Sequence, residues 1–245
     1  MSRRILFIVE GEVTEPRFLK KILGCYGIAE EHQVFSYNTN IHVLYEMLFS
    51  GNDEESLDLL TTLKETASEE DIPTLSERYS DIYLVFDAEV QDSKWDPDHI
   101  RRMLRYFDNS TENGLLLLNY PMFESIRHMS SLGDPGYLRS SVTLEQTRTY
   151  KRLVGTEGCL ELLNPNKYDR RIIDVLLRMN IWKLGVLLNM SGEEPDYAVY
   201  NACSLRRLFD VQDSSITETG RTFVINTSVM VVLEFINPNL LNEVR

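Results

Sequence analysis

The chain has 245 residues, 43% hydrophobic and 26% charged, with 38 acidic residues against 25 Lys and Arg and a net charge of −13. That is ordinary globular composition, with room for one large domain or for a core domain and an extension, and no apolar run approaches the roughly 18 residues of a membrane span. The acidity argues against nucleic-acid binding through overall charge, yet salt screens exposed charges beyond about 8 Å, so a local basic patch can still act. Ser2-Arg3-Arg4 and the five apolar residues after it are too short for a signal peptide. Cys25, Cys159 and Cys203 lie at wide, unpatterned spacing, which predicts reduced thiols in a cytoplasmic protein, with neither a disulfide frame nor a zinc site.

Ile5 to Val9 is unbroken apolar sequence with three β-branched residues, the composition of a strand buried on both faces. Glu10 and Gly11 follow at once. Thr14-Glu15-Pro16 predicts a cap and a proline in the first helical turn, and Phe18, Leu19, Ile22 and Leu23 continue at helical spacing. Gly24 and Gly27 close that helix. Gln33 to Tyr37 alternates as a second strand. Ile41 to Leu48 reads as a helix ended by Ser50-Gly51-Asn52, and Asp53-Glu54-Glu55 as the start of the next. Ser68 to Asp71 is an acidic loop, and Pro73 resists helix. Ile82 to Phe86 is a second fully apolar strand ending in Asp87-Ala88-Glu89, with Asp92 beyond. Residues two apart in an extended segment point the same way, so Asp87 and Glu89 are expected to face one point.

Pro97 opens a helix through Phe107, Asn113-Gly114 is a turn, and Leu115 to Leu118 is a short buried strand leading into Asn119-Tyr120-Pro121-Met122-Phe123-Glu124. The alternation predicts an α/β fold with a mostly parallel sheet flanked by helices over residues 1–129, its strand carboxyl ends at one edge. Residues 130–245 are expected to form a mainly helical C-terminal extension: helices over 141–189 with Ile172, Val175, Leu176 and Met179 on one stripe, a break at Ser191 to Pro195, and a helix from Val199 to Phe209. Phe223 to Phe235 is ambiguous between helix and strand.

Carboxylates gathered at one sheet edge repel, by about 4 kcal/mol for two unit charges about 4 Å apart at an effective dielectric of 20. A proton, a basic neighbour or a divalent cation must offset that. Oxygen-only ligands favour Mg2+ or Mn2+, ions that assist phosphoryl and phosphodiester chemistry. The bland alternative is that Glu10 and Glu89 are solvated strand ends. Glu15 equally reads as a dipole or capping acid, Asn119 as a helix cap, and Glu124 as a first-turn acid. His32, His42, His99 and His128 have no ligand spacing and read as surface or partly buried. Trp95 and Tyr120 can stack a base but more often pack. Lys167 and Lys183 are candidate cations for transition-state charge, and otherwise surface residues. Lys20-Lys21, Arg101-Arg102 with Arg105, Lys167 with Arg170-Arg171, and Arg206-Arg207 are short basic clusters, each singly a solvated helix face.

Val9-Glu10-Gly11 after a hydrophobic strand, with an Asp-x-Asp-like pair after a later one, resembles the TOPRIM domain of topoisomerases, primases and OLD-type nucleases. The string from Glu10 to Pro16 with Phe18 is similar to the opening of RloB-like and OLD-like TOPRIM proteins associated with phage defence. Asn119 to Glu124 resembles their Asn-Pro-x-Phe-Glu segment with Tyr120 inserted. The resemblance covers roughly residues 4–128. It implies a Mg2+- or Mn2+-dependent nuclease acting on DNA or RNA. Glu10 would be metal ligand or general base, and Asp87 the principal ligand. Glu89 would stand where the family has a second aspartate, and Glu124 would be an additional ligand or an acid just behind the ligands. Asn119 is a candidate substrate contact, and Lys167, outside the span of the resemblance, is a candidate substrate-binding cation. The chain has no Walker-type phosphate loop, so an ATPase or sensor would be a separate partner in antiviral defence; a homodimer is a further expectation. The opposing reading is a degenerate site on a fold retained as a protein-interaction module, which the Glu89 departure and the negative charge would favour.

Overall fold

The computed structural model describes residues 3–28, 32–50, 54, 57–190 and 192–236. All five residues of β1 (Ile5–Val9) are buried, each contributing about 1.5–3 kcal/mol. Both faces of that strand are therefore covered, as expected of a parallel sheet between helices. β2 (His32–Ser36) and β3 (Asp81–Asp87) pair with β1 in parallel on its two sides, Val9 lying opposite Ser36 and Val85. β4 (Asp108–Asn109) and β5 (Gly114–Asn119) form a hairpin, with β5 parallel to β3 and β4 antiparallel at the edge. Gly114 sits at φ 117°, where a Cβ would meet Leu84 Cδ1 at 2.8 Å, so the turn and the close approach both require glycine. The order is β2-β1-β3-β5-β4. The chain first steps from β1 to β2 and then crosses to β3 on the other flank. The switch point of the topology, where open α/β sheets bind ligands, thus lies between the carboxyl ends of β1 and β3.

Helices α1 (Thr14–Cys25), α2 (Ile41–Phe49), α3 (Leu59–Lys64), α4 (Ile72–Ser76) and α5 (Pro97–Tyr106) connect these strands. α1 buries Phe18, Leu19, Ile22 and Leu23 as the spacing predicts. Its N-cap is Val13, one residue before the expected Thr14, and no side chain caps it. Asp58 caps α3 by accepting from the Thr61 N–H at 3.0 Å, so the helix begins later than the acids at 53–55 suggested; Asp53 and Glu55, like Gly51, Asn52 and Ser191, lie outside the described residues. Pro73 is in α4, in its first turn, where the missing N–H costs nothing.

The C-terminal part is mainly helical. It contains α6 (Leu144–Thr147), α7 (Tyr150–Glu157), α8 (Arg170–Leu187) and α9 (Ala202–Thr219). β6 (Ser141–Thr143) and β7 (Arg221–Phe223) form a small antiparallel ribbon within it, which helical spacing over 141–189 did not anticipate. α9 starts three residues later than expected and runs ten further, ending at Gly220 in the left-handed conformation. The ambiguous last segment is neither an α-helix nor a long strand: after β7 it becomes a buried 3-10 helix, Ser228–Glu234. It is anchored on the sheet. Tyr120 and Ile225 form an isolated bridge, Thr227 Oγ1 donates to the Leu118 carbonyl at 2.8 Å, and Ser228 Oγ donates to Asn119 Oδ1 at 2.7 Å. The buried apolar residues of both parts make one continuous core.

Two polar expectations change. Lys183 is 0% exposed rather than a surface residue. Its ammonium donates to the Tyr137 and Ser140 carbonyls, each at 2.7 Å, and to Ser140 Oγ at 2.9 Å, and burial pulls its pKa well down. It fastens the turn before β6 to α8. His42 is likewise buried, against Trp95. Tyr120 packs in the interior, and Trp95 is half-buried against the core. Cys25, Cys159 and Cys203 are free thiols, and among the described residues no helix is long and apolar enough to cross a membrane.

Candidate metal centre

Glu10 is the first residue beyond β1. Its own N–H donates to the Val85 carbonyl at 3.2 Å, which fixes it beside β3. Its Oε2 accepts the Asp87 N–H at 3.1 Å, across the switch point. Asp87, the last residue of β3, is 5% exposed, and its Oδ1 accepts the Phe123 N–H at 2.7 Å. One carboxylate oxygen each from Glu10, Asp87 and Glu89 lie within 4.8 Å of one another. Two oxygens on one Mg2+ stand at most about 4.2 Å apart at ligand distances near 2.1 Å, so side-chain adjustments under about 1 Å would seat all three on a shared ion.

Glu89 reaches this position differently from the extended arrangement expected. β3 ends at Asp87, and Glu89 has φ 48°, a left-handed conformation that costs a non-glycine residue about 1–2 kcal/mol. His42 Nε2 lies 3.4 Å from the Glu89 carbonyl, and the Asp92 N–H donates to that carbonyl at 2.8 Å, so the surrounding turn holds the residue there. The Glu89 carboxylate accepts from Gln91 Nε2.

These acids line a cleft of about 470 Å3 that also takes in Glu12, Glu15 and Glu124. Six carboxylates therefore face Lys151, the single Lys or Arg among the described lining residues. Burial raises the Glu10 pKa to about 8, with Glu89 and Glu15 adding to the rise and the Asp87 N–H and Lys151 opposing it. Burial, then the charges of Glu10 and Glu124, push Asp87 well above the usual carboxylate range. Glu89 is raised by burial and by Asp92, and Glu15 by burial and by Glu124. Burial works to lower the Lys151 pKa, but the acids around it, Glu124 foremost, more than offset that. Glu124 lies in the buried 3-10 helix Phe123–Arg127. Its Oε1 is 3.5 Å from Arg127 and 3.7 Å from Lys151, and its Oε2 is buried with no protein partner.

Glu15 sits in the first turn of α1, as a dipole acid would, and also faces the cleft. Lys151 escaped sequence reasoning: it lies on α7, outside the α/β core, in a stretch with no motif. Asn38 and Thr39, which follow β2, also line the cleft without any sequence signal. Asn119 is fully buried and does not reach it. Its Oδ1 accepts from the Ser228 N–H and hydroxyl, which joins it to the C-terminal segment, and Met122 rather than Asn119 precedes the helix after Pro121, so Asn119 is not the cap. Lys167 is exposed in the turn Pro165–Lys167 and is not part of the cleft wall. Asp92 accepts from Asn40 Nδ2 and the Lys94 N–H, stabilising its loop.

Gly11 has a steric reason. A Cβ there would collide with the Glu15 carboxylate, meeting Cδ at 3.0 Å. Because that carboxylate ends a flexible side chain, Gly11→Ala should cost under about 1 kcal/mol of stability while turning Glu15 away. The expected result is weaker Mn2+ binding by calorimetry, about threefold to tenfold, at nearly unchanged melting temperature. Comparison with protein-family models, with curated proteins and with solved structures found no match for this chain.

Proposed function

We propose that the chain is a divalent-metal-dependent phosphodiesterase acting on nucleic acid, with a TOPRIM-like α/β core. The observation that carries this reading is the approach of Glu10, Asp87 and Glu89 to within 4.8 Å at the topological switch point. The donor set fits Mg2+ or Mn2+: carboxylate oxygens only, on a rigid sheet edge, with Glu124 Oε2 buried and unpartnered at its side. Metal-free, this concentration of buried charge is relieved by protons, as the raised Glu10 and Asp87 pKa values express.

Glu10, Asp87 and Glu89 would hold the ion, with Glu124 and Glu15 beside them. When bound, it would supply Lewis-acid stabilisation of the phosphodiester and activation of water. The protein's own part is positional. The Phe123 N–H orients one Asp87 oxygen, and the Asp87 N–H orients Glu10. Glu10, close to neutrality in its pKa, is suited to accept a proton at Oε1 or Oε2. Lys151 is a cation at the cleft wall suited to the negative charge that develops on the phosphoryl oxygens. The antiviral role with a separate ATPase or sensor rests on the resemblance of the Glu10 to Phe18 string to RloB-like and OLD-like proteins.

The test is cleavage of single- and double-stranded DNA and RNA by the purified chain with Mg2+ or Mn2+. Cutting that EDTA abolishes is the expected result. No cutting by protein that binds Mn2+ would instead support the interaction-module reading. Lys151→Ala should lower kcat about tenfold to a hundredfold with little change in KM, since its charge acts mainly on the transition state. A change in KM alone would make Lys151 a ground-state contact.

A further inference from the structure

We propose that the groove between α1 and the Pro165–Lys167 turn is a track for a nucleic-acid backbone leading to the carboxylate cleft, gripped by Arg17, Lys20, Lys21 and Lys167. This inference rests on the phosphodiesterase reading and adds to it the surface that carries the substrate.

The groove has a volume of about 520 Å3 and is lined by Arg17, Lys20, Lys21, Gly24, Cys25 and Asn166. Positions 17, 20, 21 and 24 recur at helical spacing and share one face of α1. Val13 and Thr14, which begin the same helix, line the cleft. From position 13 to position 24 a helix advances about 16 Å, the rise of about five nucleotides of one strand. The basic face thus starts at the cleft rim and extends away from it. Lys167 adds an exposed cation in the turn packed against α1.

Among the described residues these four cations have no carboxylate partner, and none of their side chains makes a hydrogen bond or an ion pair. In a chain of charge −13, four neighbouring unneutralised cations are an uncommon concentration. Screening limits the field of the distant acids to about 8 Å, so the groove is locally positive. A second arginine-lined groove lies between α5 and α9, and three of its four arginines are already engaged within the protein. There Arg101 is paired with Asp98, Asp210 and Asp213, Arg206 is paired with Asp108, and Arg207 donates to the Leu188 carbonyl. A phosphate gripped by Arg101, Arg206 and Arg207 would have to displace those partners, whereas one reaching α1 would displace only water.

The experiment is fluorescence anisotropy of the full chain with labelled 20-nucleotide single-stranded DNA, single-stranded RNA and duplex DNA, in EDTA, from 50 to 200 mM salt. The DNA and RNA arms separate the two sources of the same backbone chemistry. Wild type should bind at least one probe with an affinity that falls with salt. The triple variant Arg17→Ala, Lys20→Ala, Lys21→Ala should bind about tenfold or more weakly at 50 mM salt, with a log–log salt slope smaller by about 2 to 3. Arg105→Ala should bind as wild type does, and unchanged circular dichroism and melting temperature of the triple variant would exclude misfolding. The track is overturned if the triple variant keeps wild-type affinity and slope, or if wild type binds none of the probes. Binding through the face without any metal-dependent cutting would sink the phosphodiesterase reading and leave the track standing. Metal-dependent cutting with unaltered binding by the triple variant would do the reverse.

Discussion

Asp87→Asn should reduce metal-dependent cleavage by about a thousandfold or more, equivalent to about 4 kcal/mol of transition-state stabilisation, without lowering the stability of the metal-free protein. Asparagine has the same shape and keeps an oxygen that can accept the Phe123 N–H. It removes only the ionisable oxygen, at a position that is 5% exposed and sits against Glu10 and Glu124. In the absence of metal, the aspartate is already driven toward its neutral form, so the neutral amide changes little. Melting temperatures in EDTA within about 3 °C of wild type, or higher, combined with lost cleavage, would separate chemistry from folding. Asp92→Ala provides the contrast: its carboxylate holds Asn40 and the Lys94 N–H, and cleavage should stay within about threefold of wild type. Asp87→Asn protein that cuts within tenfold of wild type would place the reaction elsewhere.

The part of this site legible in the sequence is the part built by strand ends. Ile5 to Val9 and Ile82 to Phe86 are apolar on both faces because both faces are covered, and such strands announce themselves without any periodicity. An acid directly after each one is delivered to the sheet edge by topology alone, which is why Glu10 and Asp87 could be paired before any geometry. Glu89 was reached by the wrong route. Its side chain arrives through a left-handed residue held by His42 and the Asp92 N–H, and nothing local in Asp-Ala-Glu encodes that turn.

Residues placed by tertiary packing were not legible. Lys151 comes from a helix more than sixty positions beyond Asp87, and its sequence neighbourhood is that of any exposed helix. Lys183 and Asn119 look like surface and cap residues, yet both are buried, the Lys183 ammonium and the Asn119 Oδ1 finding partners on distant segments. The segment from Phe223 to Phe235 could not be assigned because it is enclosed on all sides. Periodicity reports a contrast between buried and exposed faces, and a 3-10 helix resting on β5 and α8 has little such contrast.

Stability should depend on pH in opposite directions with and without metal. Glu10 has a folded pKa of about 8, raised first by burial, against an ordinary value of 4.5; Asp87 and Glu89 are raised in the same direction. A folded state that holds protons more tightly than the unfolded chain is favoured at low pH. The contribution of Glu10 is fully present below about pH 4.5 and is lost progressively as pH rises through about 8. For Glu10 it is on the order of 3–5 kcal/mol, so the metal-free protein should melt several degrees lower at pH 8 than at pH 5.5. His42 works the other way. Burial depresses its pKa, so its contribution grows as pH rises toward its ordinary value of 6.5 and levels off above it. The comparison that isolates the cleft is therefore wild type against Glu10→Gln, whose melting temperature in EDTA should decline less between pH 5.5 and 8. Metal reverses the slope, because each ligand must lose its proton to bind. Apparent Mg2+ affinity should rise by up to about tenfold per pH unit toward pH 8 and then flatten. At one hundred times the dissociation constant the ion adds about 2.7 kcal/mol, worth about 5–10 °C in a chain of this size. Scanning calorimetry at pH 5.5, 7 and 8, with EDTA or with saturating Mg2+, reads both slopes. Parallel curves in the two conditions would mean that the carboxylates of the cleft carry their protons at no cost to a cation, and the metal centre would fall with them.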